Sequence, residues 1–194
     1  TKADKEDWEK VRPDVEQIYN PLSFISKDVS PLSRKRCIAV GRLESQKNFK
    51  DIITAWKIVD ERHPDWILDI YGKGSLKEAL QGQIEDLGLK DKVRLEGSTD
   101  NVLKELLDSS CLVMSSRFEG FPMILLEALT AGLPIVSYDC PKGPSEIVTI
   151  GANGYLAKVG DTATLAQGIC SVISNEELRK RFGAESKSRS ENFT

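Results

Sequence analysis

The chain has 194 residues, of which 40% are hydrophobic, and this is enough to bury the core of one domain, or of one domain with an appendage. Its formal net charge of -3 and its pI near 5.4 give no bulk reason to expect nucleic acid or an anionic membrane as a partner. No apolar run is as long as a membrane span, and residues 1–7 lack the character of a signal peptide.

The first 35 residues differ from the rest and are interpreted as a lead-in and linker segment, not as a domain. Residues 2–17 are charged and mildly helical, residues 18–22 form a predicted turn, and residues 30–36 are polar. We therefore expect one folded domain over residues 36–194.

A regular alternation of strands and helices begins at Cys37. The first strand, residues 37–40, ends at Gly41, and Asn48 is predicted to cap the next helix, which ends before Pro64. Further strands are predicted at 66–71, 93–96, 111–115, 134–138 and 155–157, with helices at 76–87, after a cap at Asp100, and at 123–133, 145–149, 161–173 and 176–190. This order predicts an α/β fold: a doubly wound, Rossmann-like parallel sheet of about six strands with helices on both faces.

The cysteines and the single histidine do not form a predicted metal or disulfide site. The four cysteines are far apart in sequence, at Cys37, Cys111, Cys140 and Cys170, which is typical of reduced core thiols in a cytosolic protein. His63 precedes a proline at a predicted helix end and is interpreted as structural.

Residues 117–127 join a buried strand to a helix and hold two carboxylates, Glu119 and Glu127. Glu119 lies in the loop, where it can project into the crevice that forms at the carboxyl ends of parallel strands. Glu127 lies in the first turns of a helix among apolar neighbours, where an unpaired carboxylate is costly unless a ligand hydroxyl satisfies it. Pro122 is expected at the first helical position, and the free N–H groups there attract phosphate. A ligand with hydroxyls at both ends and phosphate between them, such as a nucleotide sugar, fits this pattern.

The loops after the earlier strands offer complementary groups for the same crevice. Arg42 and Lys47 follow the first strand and form a plausible diphosphate clamp, since fixed cations must meet the leaving-group charge. Gly72 and Gly74 follow the second strand and are expected to let the backbone approach a ligand closely. Main-chain groups near residues 94–97 lie where a base could bind.

The ordered set of these motifs resembles the C-terminal half of a retaining GT-B glycosyltransferase of the group 1, or family 4, type. The resemblance covers about residues 36–190 and is most similar to bacterial enzymes of lipopolysaccharide, capsule and teichoic acid assembly. It rests on Gly41-Arg42, Gln46-Lys47-Asn48, Gly72-Lys73-Gly74, the two glutamates Glu119 and Glu127 with seven residues between them, residues 131–136, and Asn153-Gly154. Residues 19–22 also resemble the segment in which that family leaves its N-terminal domain.

The resemblance implies a metal-independent transfer of a hexose from a nucleoside diphosphate sugar, with retention at the anomeric carbon. Arg42 and Lys47 would neutralise the diphosphate, Glu119 would bind hexose hydroxyls, and Glu127 would bind the ribose. The substrate-binding set it implies comprises Gly41, Gly72, Gly74, Leu95, Gly120, Phe121, Met123, Ile124 and Glu127. Pro122 departs from the glycine of many relatives and removes one amide from the helix start.

The likeness of residues 139–144 to the loop of UDP-hexose transferases predicts UDP as the donor nucleotide; the nucleotide sugar is a substrate, and no cofactor is expected. A glycan or lipid-linked acceptor would bind through the missing N-terminal domain. The expected location is the cytoplasm, or the inner face of the cell membrane by peripheral contact in the full-length enzyme. A different class stays open, in which the chain is a non-catalytic module that senses a nucleotide sugar or docks a partner.

Overall fold

The computed structural model describes residues 1–12, 14–16, 22 and 24–193, so the predicted turn at residues 18–22 lies outside the described residues apart from Leu22. The strands are β1 Arg36–Val40, β2 Ile67–Tyr71, β3 Val93–Gly97, β4 Cys111–Met114, β5 Ile135–Tyr138 and β6 Gly154–Ala157. The helices are α1 Lys2–Glu9, α2 Phe49–Arg62, α3 Lys77–Asp86, α4 Val102–Leu107, α5 Met123–Thr130, α6 Pro144–Ile147, α7 Thr162–Ser174 and α8 Glu176–Ser190, followed by a 3-10 turn at Glu191–Phe193.

The six strands form one parallel sheet in the order β3-β2-β1-β4-β5-β6, which confirms the predicted doubly wound, Rossmann-like fold. The chain winds outward from β1 to β3 and then crosses to β4 on the other side of β1. The carboxyl ends of β1 and β4 therefore flank the point where the strand order reverses, and ligands bind at this point in open α/β sheets.

Apolar side chains fill both faces of the sheet, as the continuous hydrophobic strands require. On one face α2, α3 and α7 bury Trp56, Leu68 and Ile169 in a common core. On the other face α4 and α5 pack with Ile38 and Leu112 in a second core. Of the helices that the structure describes, none is long and apolar enough to cross a membrane.

Part of the predicted lead-in packs onto the domain. Leu32 is buried in the second core, and its carbonyl accepts a hydrogen bond from Arg179 Nε of α8 at 3.0 Å. The Ser30 N–H donates to the Ala131 carbonyl at 2.8 Å. The described residues immediately before β1 therefore cover the amino-terminal side of the sheet.

One predicted helix cap was at the wrong residue, and a second, at the predicted residue, lacks the side-chain bond that was expected. Asn48 precedes α2 in a left-handed conformation with φ 51° and makes no side-chain cap; its amide donates to the Asp51 carboxylate instead, at 2.7 Å. At α4 the cap is Asn101 rather than Asp100, since the Asn101 side chain accepts from the Lys104 N–H at 3.0 Å. Capping depends on which carboxamide or carboxylate reaches an N–H, and neighbouring polar residues compete for that role.

Pro122 also differs from its predicted place. It lies one position before α5 with φ -76° and ψ 92°, so it precedes the first helical residue and is not part of the helix. The helix ends at Thr130, and Gly132 follows in the left-handed region with φ 67°, which agrees with the predicted stop.

The glycines after β2 accommodate the protein's own backbone, although the sequence predicted a ligand there. A Cβ atom at Gly72 would lie 1.8 Å from the Gly41 carbonyl oxygen, and one at Gly74 would lie 2.4 Å from the Leu43 carbonyl oxygen. The Gly72 N–H donates to the Gly97 carbonyl at 2.6 Å. The loops after β1, β2 and β3 are thereby joined into one floor at the carboxyl ends of the strands.

Gly72→Ala should lower the free energy of unfolding by about 3 kcal/mol, because the new methyl group would collide with backbone that cannot move away freely. The matched control is Gly82→Ala in α3, where an added Cβ meets nothing within 4 Å. That substitution should stabilise the protein by about 0.5–1 kcal/mol. Urea denaturation of both variants measures the two changes, and equal stability of the two would contradict the packing described.

Candidate functional site

A cleft of about 260 Å³ opens at the carboxyl ends of β1, β2 and β3. It brings together three of the predicted site residues, Gly41, Arg42 and Gly72. The complete lining is Val40, Gly41, Arg42, Tyr71, Gly72, Lys73, Ser98, Thr99 and Val102. Sequence reasoning missed Ser98 and Thr99. The polar residues between Gly97 and the start of α4 were a signal that could have identified them.

Two residues predicted in or near the loops after β2 and β3, Gly74 and Leu95, do not line this cleft. Leu95 lies inside β3, opposite Ile70 of β2, while Ser98 and Thr99 line the cleft three and four residues later. The Cβ space of Gly74 is filled by the Leu43 carbonyl. A strand residue is held by its ladder partners, so the loop that follows β3 provides the wall of the cleft.

Lys47 and Glu119 form an ion pair at the switch point. Lys47 Nζ lies 2.6 Å from Glu119 Oε1, and Ser116 Oγ donates to the same oxygen, also at 2.6 Å. The two charged side chains are mostly buried, with exposed fractions of 18% and 8%. Buried charges are stable only when they are paired and hydrogen-bonded, and this geometry satisfies both conditions.

Hydrogen bonds from the same loops hold this ion pair in place. Gln46 Nε2 donates to the Phe118 carbonyl at 3.0 Å, and the Arg117 N–H donates to the Gln46 carbonyl at 2.9 Å. Ser115 Oγ donates to the Lys47 carbonyl at 2.8 Å. The loop after β1 and the loop after β4 are therefore fixed relative to each other across the switch point.

Arg42 is open to solvent, as is Lys73 in the lining of the same cleft. Its guanidinium donates a weak hydrogen bond of 3.4 Å to Gln46 Oε1 and, after the hydrogen bonds from Ser75, helps to lower the pKa of Glu44. A guanidinium in this state is available to bind an anion in a bidentate manner.

The start of α5 faces the same side of the sheet. The N–H groups of Met123 and Ile124 belong to its first turn, where the helix offers them no carbonyl. Gly120 is exposed, and Phe121 is partly buried against the second core. Glu127 is partly buried on α5, and its carboxylate makes no hydrogen bond or ion pair with any residue that the structure describes.

Cys140, in the loop after β5, borders the ion pair. Burial, together with the Glu119 carboxylate, raises the pKa of this thiol to about 11. All four cysteines are buried and free, which agrees with the prediction of core thiols. The Cys140 thiol stays protonated at neutral pH and offers no nucleophile to the site.

A buried network supports the cleft from below. Tyr71, which lines the cleft, donates from its hydroxyl to Glu105 Oε2 at 2.7 Å and accepts from Arg36 Nη2 at 2.8 Å. Arg36 also donates to the buried Asp69 carboxylate at 2.5 Å and to Glu105 at 2.9 Å. Burial, followed by the bond to Glu105, raises the pKa of Tyr71 to about 12, so the hydroxyl stays protonated and remains a donor.

Comparison with known proteins identifies relatives of this chain. The family model described as Glycosyl transferases group 1 matches residues 24–189. An uncharacterized glycosyltransferase of Haemophilus influenzae is 31% identical over 196 residues, covering 100% of this chain and 56% of that protein. Poly(glycerol-phosphate) alpha-glucosyltransferase of Bacillus subtilis is 30% identical over 200 residues, covering 100% of this chain and 30% of that protein.

One solved structure resembles this chain over the whole length of the chain. A mutant of S. aureus TarM, in complex with Fondaparinux, alpha-GlcNAc-glycerol and UDP, matches with a TM-score of 0.88 at 27% identity. The match covers 100% of this chain and 40% of the other. The chain thus spans about half, or less, of the length of the proteins it matches here.

Lys47→Met should lower the free energy of unfolding at pH 7 by about 3 kcal/mol, because it leaves the buried Glu119 carboxylate without its cation. The double variant Lys47→Met/Glu119→Gln should recover much of this loss, since it removes both charges. The control is Lys57→Met, which breaks an exposed pair with Glu61 at 3.9 Å and should cost about 0.5 kcal/mol or less. Equal losses in the two single variants, measured by chemical denaturation, would contradict a buried pair.

The pH dependence of stability should reveal the bonds to Glu105. Burial raises the pKa of Glu105, but the hydrogen bonds from Tyr71 and Arg36 outweigh it and lower the pKa from its ordinary 4.5. A lowered carboxyl pKa stabilises the fold above the ordinary value, and this contribution is lost as the pH falls through the lowered value. The melting temperature of Glu105→Gln should therefore lie below that of the unsubstituted chain at pH 7, and the gap should shrink as the pH falls below 4.5. Glu61→Gln, at an exposed position, is the control and should show no such gap.

Proposed function

Since the chain belongs to the family of group 1 glycosyl transferases, we propose that it is the donor-binding half of a retaining, metal-independent enzyme. This enzyme moves a hexose from a UDP-sugar to a glycan or lipid-linked acceptor. The observation that carries the proposal is the buried Lys47–Glu119 pair beside the cleft at the switch point of the sheet. In this proposal Lys47 is a fixed cation and Glu119 a carboxylate that binds sugar hydroxyls, in the same crevice as the exposed guanidinium of Arg42.

The order of groups along the crevice matches the order of parts in a nucleotide sugar. The cleft over β2 and β3 takes the nucleoside, Arg42 and Lys47 over β1 meet the diphosphate, and Glu119 after β4 meets the sugar. Glu119 Oε1 already accepts bonds from Lys47 and Ser116, so Oε2 is the oxygen that accepts a bond from a sugar hydroxyl. The similar TarM structure contains UDP, which supports the choice of this nucleotide.

The helix start and its second glutamate complete the proposed donor site. The N–H groups of Phe121, Met123 and Ile124 would approach the phosphate or the sugar, since the first turn of a helix attracts anions. The unpartnered carboxylate of Glu127 would accept bonds from the two ribose hydroxyls. Pro122 supplies no N–H, so no step is assigned to an amide at that position.

In the proposed reaction the bond between the anomeric carbon and the diphosphate oxygen breaks, and the diphosphate leaves with the electron pair. The acceptor oxygen forms its bond to the same face of the sugar, and its proton passes to the oxygen of the departing diphosphate. Arg42 and Lys47 stabilise the charge that grows on the diphosphate as the bond breaks. These two cations take the role that a divalent metal plays elsewhere, and this is the basis for proposing metal independence.

The rest of the proposal concerns the whole enzyme. The acceptor would bind through a further N-terminal domain, for which residues 1–35 are the proposed lead-in. The proposed location is the cytoplasm or, by peripheral contact of the full-length enzyme, the inner face of the membrane.

Calorimetric titration of the chain with UDP, in buffer with EDTA, tests the donor site. UDP should bind without magnesium, and Glu127→Ala should weaken binding by about 1.5–3 kcal/mol, because one charge-assisted hydrogen bond or pair is lost. The matched control is Glu185→Ala, a partly buried glutamate of α8 outside the cleft, which should bind UDP with unchanged affinity.

Three results would count against this proposal. Unchanged affinity in Glu127→Ala would remove that residue from the site. Binding that requires magnesium would contradict metal independence. Failure of UDP, GDP and UDP-hexoses to bind at all would favour the alternative of a partner-docking module.

A further inference from the structure

The part of the cleft that we assign to the nucleoside has a mostly apolar wall. Tyr71 is the last residue of β2, and it lines the cleft together with Val40 and Val102. Ser98 and Thr99 add hydroxyl groups at the rim. An apolar pocket with a few polar groups at one edge is the type of site that holds a flat heterocyclic ring.

The hydroxyl of Tyr71 takes no part in the cleft because both of its hydrogen-bonding roles are filled. It donates to Glu105 and accepts from Arg36, at 2.7 and 2.8 Å. A phenol offers one O–H, and here that proton is directed away from any ligand. The hydroxyl is therefore not free to bind a ligand, so Tyr71 acts on a ligand by the shape of its side chain.

The same hydrogen bonds hold the Tyr71 side chain in place, so the cleft cannot widen easily on this side. Glu105 lies on α4 one turn after Val102, so its bond to Tyr71 ties the start of α4 to the end of β2. Arg36 ties both residues to β1, and its own position is fixed by the buried Asp69 carboxylate. To widen the cleft on this side, a ligand would have to break charged, buried hydrogen bonds, which are among the costliest to lose.

The size of the cleft restricts what fits beside this wall. At about 260 Å³ it lies below the range of about 300–1,000 Å³ that is typical of pockets for whole small molecules. Arg42, which we assign to the phosphates, also lines it. The remaining space suits a single ring with its polar edge at Ser98 and Thr99. The Thr99 hydroxyl accepts from the Asn101 N–H at 3.1 Å, which leaves its own proton for a ligand carbonyl.

We propose that Tyr71 is the specificity-determining residue of the nucleotide site: its ring, braced by Arg36 and Glu105, limits the cleft to a pyrimidine base and excludes purines. This inference rests on the proposed function, because it assumes that the cleft takes the nucleoside of the donor. Tyr71 selects the base by the position of its ring and forms no hydrogen bond to it.

The test is a calorimetric titration of the chain and of Tyr71→Val with UDP, CDP, GDP and ADP. The unsubstituted chain should bind the two pyrimidine nucleotides at least about tenfold more tightly than the two purine nucleotides. Tyr71→Val removes the ring and keeps a β-branched residue in the strand, so the preference should fall by about tenfold, mainly through tighter binding of GDP and ADP. Tyr155→Val is the matched control, because it removes a partly buried tyrosine ring that packs on Phe182, outside the cleft, and should leave the preference unchanged.

The outcomes separate this inference from the proposed function. Equal binding of pyrimidine and purine nucleotides by the unsubstituted chain overturns the inference and leaves the nucleotide site standing. A preference that persists in Tyr71→Val, or that falls equally in Tyr155→Val, also overturns it. Failure of all four nucleotides to bind the unsubstituted chain overturns the inference and the proposed function together. The comparison of pyrimidine with purine nucleotides needs only the unsubstituted chain. It can therefore refute the inference even if the Tyr71→Val variant does not fold.

Discussion

The buried ion pair between Lys47 and Glu119 is the interaction on which the crevice depends. Two charges removed from water are stable there only because they pair at 2.6 Å and because Ser116 donates to the same carboxylate oxygen. The pair joins the loop after β1 to the loop after β4, and these two strands flank the point where the sheet order reverses. Side chains that sequence reasoning assigned separately to phosphate and to sugar are thus one structural unit.

A second network of charged side chains lies on the other side of β1, and it also joins different elements of the fold. Arg36 and Asp69 come from strands, Glu105 comes from a helix, and all of them converge behind Tyr71. Together the two networks fix the walls of the crevice before any ligand arrives, and preorganised groups of this kind bind a charged ligand without a large ordering cost. Arg42 and Glu127 stand apart from both networks, which leaves their charges for a ligand.

Sequence patterns predicted the strands well and the helix starts less well, for a physical reason. Buried parallel strands require continuous apolar runs, so residues such as those of β4 and β5 could be recognised from composition alone. A helix start depends on which of several neighbouring polar side chains reaches an N–H, and Asn48 and Asn101 show how this choice is decided in three dimensions. The lining of the cleft was also decided in three dimensions. Leu95 was predicted at the site, while Ser98 and Thr99 line the cleft.

The sequence by itself determined the doubly wound sheet, the family and the set of candidate residues, because periodicity and motif spacing are local properties of the chain. Only the tertiary structure decided how those residues are used. It paired Lys47 with Glu119, and it gave the Cβ space of Gly72 to the Gly41 carbonyl, where the sequence had predicted a ligand. It also placed Tyr71 against Glu105 and Arg36, which lie 34 and 35 positions away along the chain. Contacts of this kind depend on the crossover connections between strands and on which side chains become buried. No short window of sequence contains both partners.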